Sequence, residues 1–269
     1  MARQRSQPKY RNRRDFATPS DSTGTLFIVG TPIGSPDDLT IRALTILKRV
    51  EIIAAETPTA TQALLAHHGI CATITSYGPV NRDEKIAVLL HHLRQGHDIA
   101  LVSDSGMPVV YDPGRMLVAA AQQEDYPVTV IPGPSALTTA VALSGYSGDR
   151  IAFSGQLPRT SRLLIEFLKP FRQKHETLVM FAPSGSCPRL LRCLLRILPD
   201  RQVTLAIDMT KKSERLYQGT PASLLKQIPS LSKNTEVTVV VEGTSQNEVP
   251  ATKRTAAAHS SARRRITTR

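Results

Sequence analysis

The chain has no tryptophan, only six tyrosines and six phenylalanines in 269 residues, and three cysteines, Cys71, Cys187 and Cys193. Three cysteines cannot close a disulfide framework, which points to a reducing, cytoplasmic setting. No apolar run approaches the roughly 20 residues that a membrane-spanning helix requires, so no membrane is expected. The N-terminus is rich in arginine but has no apolar h-region, which argues against a secretory leader. An organelle transit peptide would share that composition, but Pro8 and Pro19 count against the amphipathic helix it needs. Nucleotide-binding fingerprints are missing too: neither GxGxxG nor a Gly-Lys-Ser/Thr phosphate loop occurs. His67, His68, His91, His92 and His97 lack HExxH or CxxC spacing, so no metal site is expected. Ser135 stands in Gly-Pro-Ser-Ala, not in the GxSxG of a hydrolase elbow.

What the chain does have is positive charge, unevenly placed. The formal net charge is +12. Residues 1–20 carry six bases and one acid, and residues 244–269 again carry six and one. The remaining 223 residues hold 22 bases and 20 acids. A nearly neutral body is thus flanked by two basic tails, 1–23 and 244–269, whose Ser, Thr, Ala, Gln and Arg content predicts no packed structure. Polybasic tails suit RNA phosphates. The body is long enough to bury roughly 70 % of its unfolded surface.

Within the body, short apolar runs alternate with helical periodicity. Leu26–Val29, Ile52–Ala55, Ile99–Ser103 and Val128–Ile131 read as buried strands. Between them, Leu39, Ala43, Ile46, Leu47 and Val50 recur at helical spacing. Ser35 with Pro36 reads as the start of that helix, Asn81 with Glu84 as another, and Asp112-Pro113 as the cap of a helix over 115–124. Gly69 fits a helix stop. This pattern predicts an α/β fold whose N-terminal sheet, within residues 24–134, is mainly parallel and covered on both faces. Beyond Pro134 the rhythm changes. Strands are expected near 151–154, 177–181, 203–207, 214–218 and 235–242, with helices at 136–144, 161–172 and 188–197. Residues 135–243 therefore read as a second α/β domain with a mixed sheet.

Three stiff loops follow strands of the first domain: Gly30–Pro36, Ser103–Pro108 and Pro132–Ala136. Loops at the carboxyl ends of parallel strands line the ligand crevice. Glycine allows close backbone approach and proline holds the loop open. Lacking a pyrophosphate cradle, they suit a cofactor without phosphates, and S-adenosylmethionine has that character.

These segments closely resemble the ribosomal RNA small-subunit methyltransferase I family of the tetrapyrrole-methylase superfamily. The likeness runs through Leu26–Pro36, Ile52–Glu56, Ala100–Pro108, Asp112-Pro113-Gly114 and Pro132–Ala136. It continues in Ser154–Pro158, Met209-Thr210-Lys211 and Val241-Glu242-Gly243, and it covers residues 24–243 but neither tail. The resemblance implies a two-domain methyltransferase with S-adenosylmethionine between the domains. Its substrate would be a cytidine ribose 2′-hydroxyl in small-subunit (16S) ribosomal RNA, and its assembly a homodimer. It places Pro32, Asp104, Ser105, Gly106, Met107, Pro108, Ser135 and Ala136 on the cofactor from the first domain, and Phe181 and Ala206 from the second. Two alternatives belong to the same scaffold: a small-molecule methylase acting on a tetrapyrrole, and a catalytically impaired RNA-binding paralogue.

Removing a hydroxyl proton calls for a base or a placed cation. Glu56, at the end of the second strand, is the carboxylate expected there, with hydrogen bonding to cofactor ribose as its other role. Lys211 would stabilise the alkoxide or bind a phosphate. Asp104 would bind the cofactor amine or cap loop amides. The chain departs from the family at three places. Ala55-Glu56 is followed by Thr57-Pro58-Thr59 where the family usually has Asp-Thr-Arg. The family's aromatic-Glu-Ser segment, followed by His-Arg, reads Phe181–Ser186 here. Its Arg-Glu-Leu-Thr-Lys is Ile207–Lys211, keeping only the final Thr-Lys.

Overall fold

The structure, a computed structural model, describes residues 23–244; both tails, and the RNA contacts expected of them, lie outside the described residues. Strands β1 (Leu26–Val29), β2 (Ile52–Ala55), β3 (Thr73–Ser76), β4 (Ile99–Val102) and β5 (Val128–Ile131) form one sheet in the order β3-β2-β4-β1-β5. Every pairing in it is parallel. The two strands at its middle, β1 and β4, are buried along their whole length, which is why they read as unbroken apolar runs.

Alternate residues of these strands serve two cores. Phe27, Val29, Ile53, Ala55, Ala100 and Val102 face helices α1 (Ile41–Arg49) and α2 (Pro58–His67). Leu26, Ala54, Ile99 and Leu101 face α3 (Arg82–Arg94) and α4 (Arg115–Gln123). Right-handed crossovers require this division. Connections that leave β1 run one way across the sheet and those that leave β4 run the other, so their helices lie on opposite faces. The loops after β1 and β4 diverge there, and a crevice opens between them.

Helix α5 (Ala136–Ser144) follows, then the second sheet: β6 (Ile151–Ser154), β7 (Thr177–Pro183), β8 (Val203–Ile207), β9 (Arg215–Gly219) and β10 (Glu236–Val241). Its order is β6-β7-β10-β8-β9, with β6 and β7 parallel and the other pairs antiparallel, the mixed sheet that the closely spaced β-branched runs predict. Ala140 and Val141 of α5 pack on one face, against Val179, Ala206 and Val240. The opposite face is covered by α6 (Ser161–Leu168) and α7 (Cys187–Ile197). Cys187 and Cys193 are buried there as small apolar groups, and burial pushes the Cys187 thiol up to about 11. A last helix, α8 (Pro221–Gln227), lies between β9 and β10 in the chain.

Local signals and structure part company at helix starts. Ser35 does not cap α1. A 3₁₀ turn over Pro36–Asp38 ends at an extended Leu39, and the Thr40 hydroxyl accepts instead from the Ala43 N–H at 3.2 Å. The Ser35 N–H is committed elsewhere, to the Thr210 hydroxyl just after β8 at 2.9 Å. Asn81 precedes α3 but its side-chain oxygen accepts from Gly78 N–H. Gly114, not Asp112, occupies the N-cap of α4, which leaves the Asp112 carboxyl free to face elsewhere. Strand β3 is half-polar and at the sheet edge, and α8 spans only seven residues, so neither leaves a periodic trace in the sequence.

Candidate functional site

The loops after β1, β4 and β5 form a single ledge. The Thr31 N–H donates to Gly106 O at 2.9 Å, and its hydroxyl lies 3.1 and 3.2 Å from the Ser103 and Gly106 carbonyls. Gly106 N–H returns a bond to Pro32 O at 3.4 Å. Gly30 and Gly133 lie back to back: a Cβ on Gly30 would meet Gly133 Cα at 2.7 Å and Met107 Sδ at 2.6 Å. Only glycine permits that approach.

Across from this ledge stands one face of the second sheet. Register puts Thr238 of β10 beside Phe181 of β7 and beside Ala206 of β8, so these three side chains share a face. Between ledge and sheet lies a cavity of about 330 Å³, within the size range of small-molecule sites. Tyr111 bridges its two sides. Its ring meets Phe181 edge-on at 5.8 Å, and Phe181 in turn meets Phe153 at 5.0 Å. A Cβ on Gly155 would come within 2.1 Å of the Tyr111 ring, so that glycine makes the seat. Reaching it strains the loop, since Val109 and Tyr111 hold φ of 76° and 71°. Such backbone costs of order 1–3 kcal/mol each and clusters where a ligand is held.

Of the residues singled out in the sequence, Ser105, Gly106, Met107, Ser135, Ala136, Phe181 and Ala206 line this cavity together. Pro32, Asp104, Pro108, Glu56 and Lys211 do not. Pro32 supports the ledge through its carbonyl. Asp104 accepts from the Thr57 N–H at 3.0 Å and from the Thr57 hydroxyl at 2.7 Å, which ties it to the start of α2. Thr57 thus serves that carboxylate as a double donor. Lys211 pairs with Glu236 at 2.9 Å and stands 3.7 Å from Asp208, at the cavity rim. The neighbouring Gly34 is pressed against Met209 and Thr210, which, with the Ser35–Thr210 bond, fastens the two halves.

The carboxyl that does line the cavity beside the ledge is Asp112. Burial, then the charge of Glu56, push it up to about 6 against the opposing Ser103 hydroxyl. Glu56 is also raised, by burial first and Asp104 second, with the Asp104 backbone N–H opposing. Glu56, Asp104 and Asp112 thus crowd together, and among the described residues no Lys or Arg forms an ion pair with any of them. Sequence reasoning missed Asp112, Tyr111, Gly155 and Met209 as lining residues. Asp112, Gly155 and Met209 stood inside motifs that carried the resemblance, but Asp112 read as a helix cap and the other two had no assigned role.

Among the described residues no group of three His, Cys, Asp or Glu is arranged to hold a metal ion, and no helix is long and apolar enough to cross a membrane.

Comparison with known proteins agrees with the architecture. Residues 25–225 match the family model described as Tetrapyrrole (Corrin/Porphyrin) Methylases. The chain is 38 % identical over 220 residues to a Ribosomal RNA small subunit methyltransferase I of Thermotoga maritima, covering 82 % of this chain and 99 % of that protein. A protein of the same name from Escherichia coli O157:H7 is 35 % identical over 226 residues, 83 % of this chain and 79 % of that one. Among solved structures, a uroporphyrin-III C-methyltransferase of Thermus thermophilus complexed with S-adenosylhomocysteine superposes with a TM-score of 0.58 at 22 % identity, over 81 % of this chain and 97 % of that one. A cobalt precorrin-4 methyltransferase of cobalamin biosynthesis gives 0.61 at 17 %, over 81 % and 94 %. These two likenesses concern the fold.

Proposed function

The chain belongs to the ribosomal RNA small subunit methyltransferase I family of the tetrapyrrole methylases, and we propose that it moves a methyl group from S-adenosylmethionine to a cytidine ribose 2′-hydroxyl of small-subunit ribosomal RNA. The observation that carries this reading is the make-up of the cavity: aromatic and aliphatic walls, two carboxylates (Asp112 and Glu236), and no lysine or arginine. A polyphosphate or a polycarboxylate tetrapyrrole would meet like charge there. A cofactor of net charge +1, a sulfonium and an ammonium against one carboxylate, with a neutral adenosine, meets opposite charge and apolar surface. Phe181, Tyr111 and Met209 suit the adenosine, while Ser105, Gly106, Ser135 and Ala136 line the side formed by the ledge.

Bound in this way, the cofactor supplies an electrophilic methyl carbon. The protein's own contribution is position and proton transfer. The ledge and the second sheet hold the reacting atoms in line, an effect worth several kcal/mol when geometry is tight. Asp112, poised near 6, takes the hydroxyl proton, and Glu56 behind it keeps its affinity for that proton high. Lys211, tied to Glu236, orients the rim on the acceptor side.

Incubating the protein with methyl-tritiated S-adenosylmethionine and undermethylated small subunits, then digesting the RNA to nucleosides, tests this directly. Label is expected in 2′-O-methylcytidine. Label on a base, or on an added tetrapyrrole with none on RNA, refutes it.

A further inference from the structure

We propose that the groove between α6 and α7, on the back of the second sheet, is a docking track for the phosphates of double-helical RNA. The inference rests on the RNA reading above. The cavity lining has no Lys or Arg, and Lys211 at its rim is already paired with Glu236, so a substrate RNA must be held by cations placed elsewhere. Residues 159–201 carry nine Lys or Arg against three acids, a net charge that the near-neutral body as a whole conceals.

The structure brings four of these cations, Arg162, Lys169, Arg172 and Arg196, to this groove, while Arg192 lines a separate one. Helix α7 buries Leu190, Leu191, Leu194 and Ile197 in the second core and turns Arg192 and Arg196 to solvent, one helical turn apart. It contains no acid at all. Like charges at i and i+4 destabilise a helix by a few tenths of a kcal/mol, so a purely structural face would interleave acids. Across the groove, Arg162, Lys169 and Arg172 are exposed as well. Only Lys169 has a carboxylate partner among the described residues, Glu166 at 2.7 Å. Arg172 instead anchors its Nε to Ile197 O at 3.1 Å, fixing its guanidinium across the two helices. The groove encloses about 490 Å³.

Its position fits a polymer. Pro183, which lines the methyl-transfer cavity, is followed by one 3₁₀ turn and then by α7 itself. An 11-residue helix spans about 16 Å, and the groove's α7 side, Arg196 and Ile197, stands at the end of that helix remote from the rim. A free nucleoside in the cavity would not reach it; a helix flanking the target nucleotide would.

The test uses the full chain carrying Arg162→Glu with Arg196→Glu, and separately Arg162→Gln with Arg196→Gln. Binding to small subunits is measured against salt, with cofactor affinity and thermal unfolding as controls. Two lost phosphate contacts should weaken binding at 0.1 M salt by about 30-fold and lower the slope of log K against log[salt] by about 1.5. KM for the RNA should rise while kcat at saturation and cofactor affinity hold. Variants that keep the wild-type affinity and slope, in a protein whose wild type labels small subunits, overturn the groove alone. A wild type that labels no RNA overturns the RNA reading and the groove with it. Tighter binding to anionic phospholipid vesicles than to RNA, lost in the variants, would mark a lipid-phosphate surface and also overturn it.

Discussion

Residues 24–134 hold eleven acids and seven bases; residues 135–243 hold eight and fifteen. The two halves are almost equal in length and opposite in sign, and the near-neutral total hides the difference. Three acids of the first half converge beside the cavity, where the charge of Asp104 raises the proton affinity of Glu56, and Glu56 and Asp104 together raise that of Asp112. Four bases of the second half, Arg162, Lys169, Arg172 and Arg196, line the groove on the far side of its sheet. The division separates two tasks that one surface could not perform, attracting a small cation and attracting a polyanion. It also dictates how each half fails.

The sharpest way to break the comparison is Asp112→Asn. With the base removed, methyl transfer should fall by about 10²–10⁴-fold, while RNA affinity stays within a few-fold. Wild-type kcat/KM should rise with pH through an ionisation near 6, and the variant should lose that limb. Stability moves in the other direction. The folded state keeps the Asp112 proton between the ordinary carboxylate range and about 6, so the protein loses stability as pH rises through that window. Thermal unfolding from pH 4 to 7 should show a shallower decline in Asp112→Asn. Unchanged activity in the variant would assign proton removal to another group.

Next in size are the glycines. Gly30→Ala forces a methyl group into the Gly133 backbone and should cost about 3 kcal/mol of stability, with cofactor binding lost in parallel. Gly185→Ala, in the second half, meets nothing within 4 Å and should change stability by less than about 0.5 kcal/mol. Equal effects at the two sites in denaturant titrations would show that the ledge is not closely packed. Smaller than the Gly30 loss is that of Thr210→Val. It removes the acceptor of the Ser35 N–H between the halves, at about 1 kcal/mol, and calorimetry should show a several-fold weaker cofactor.

Much of the scaffold was legible because its signals are local. Continuous apolar strands such as Leu26–Val29 and Ile99–Val102 are buried on both sides whichever partners they find, so composition alone identifies them. The Gly/Pro loops were readable for the same reason: a ledge of closely packed backbone needs those residues in place. Helix starts were read less well. Ser35 carries every mark of a cap, yet its N–H is taken by a threonine 175 positions away, and Thr40 becomes the cap. Asp112 followed the same course in reverse, a residue with the look of a cap that is released to the cavity.

Charge was the most misleading of the sequence signals. Counted along the chain it located cations in the tails and neutrality between them, and nothing in the count told which side of a sheet a side chain would face. By itself the sequence determined the α/β alternation, the rigid loops, and the lack of any phosphate cradle, because strand burial and backbone approach depend on neighbouring residues. Only the tertiary structure decided that Phe181, Ala206 and Thr238 share one face, and that Glu56 raises Asp112. It alone brought Arg162 of α6 and Arg196 of α7 to the two sides of a single groove. Proton affinity and electrostatic attraction vary with distance through space and with burial, and neither is set by distance along the chain.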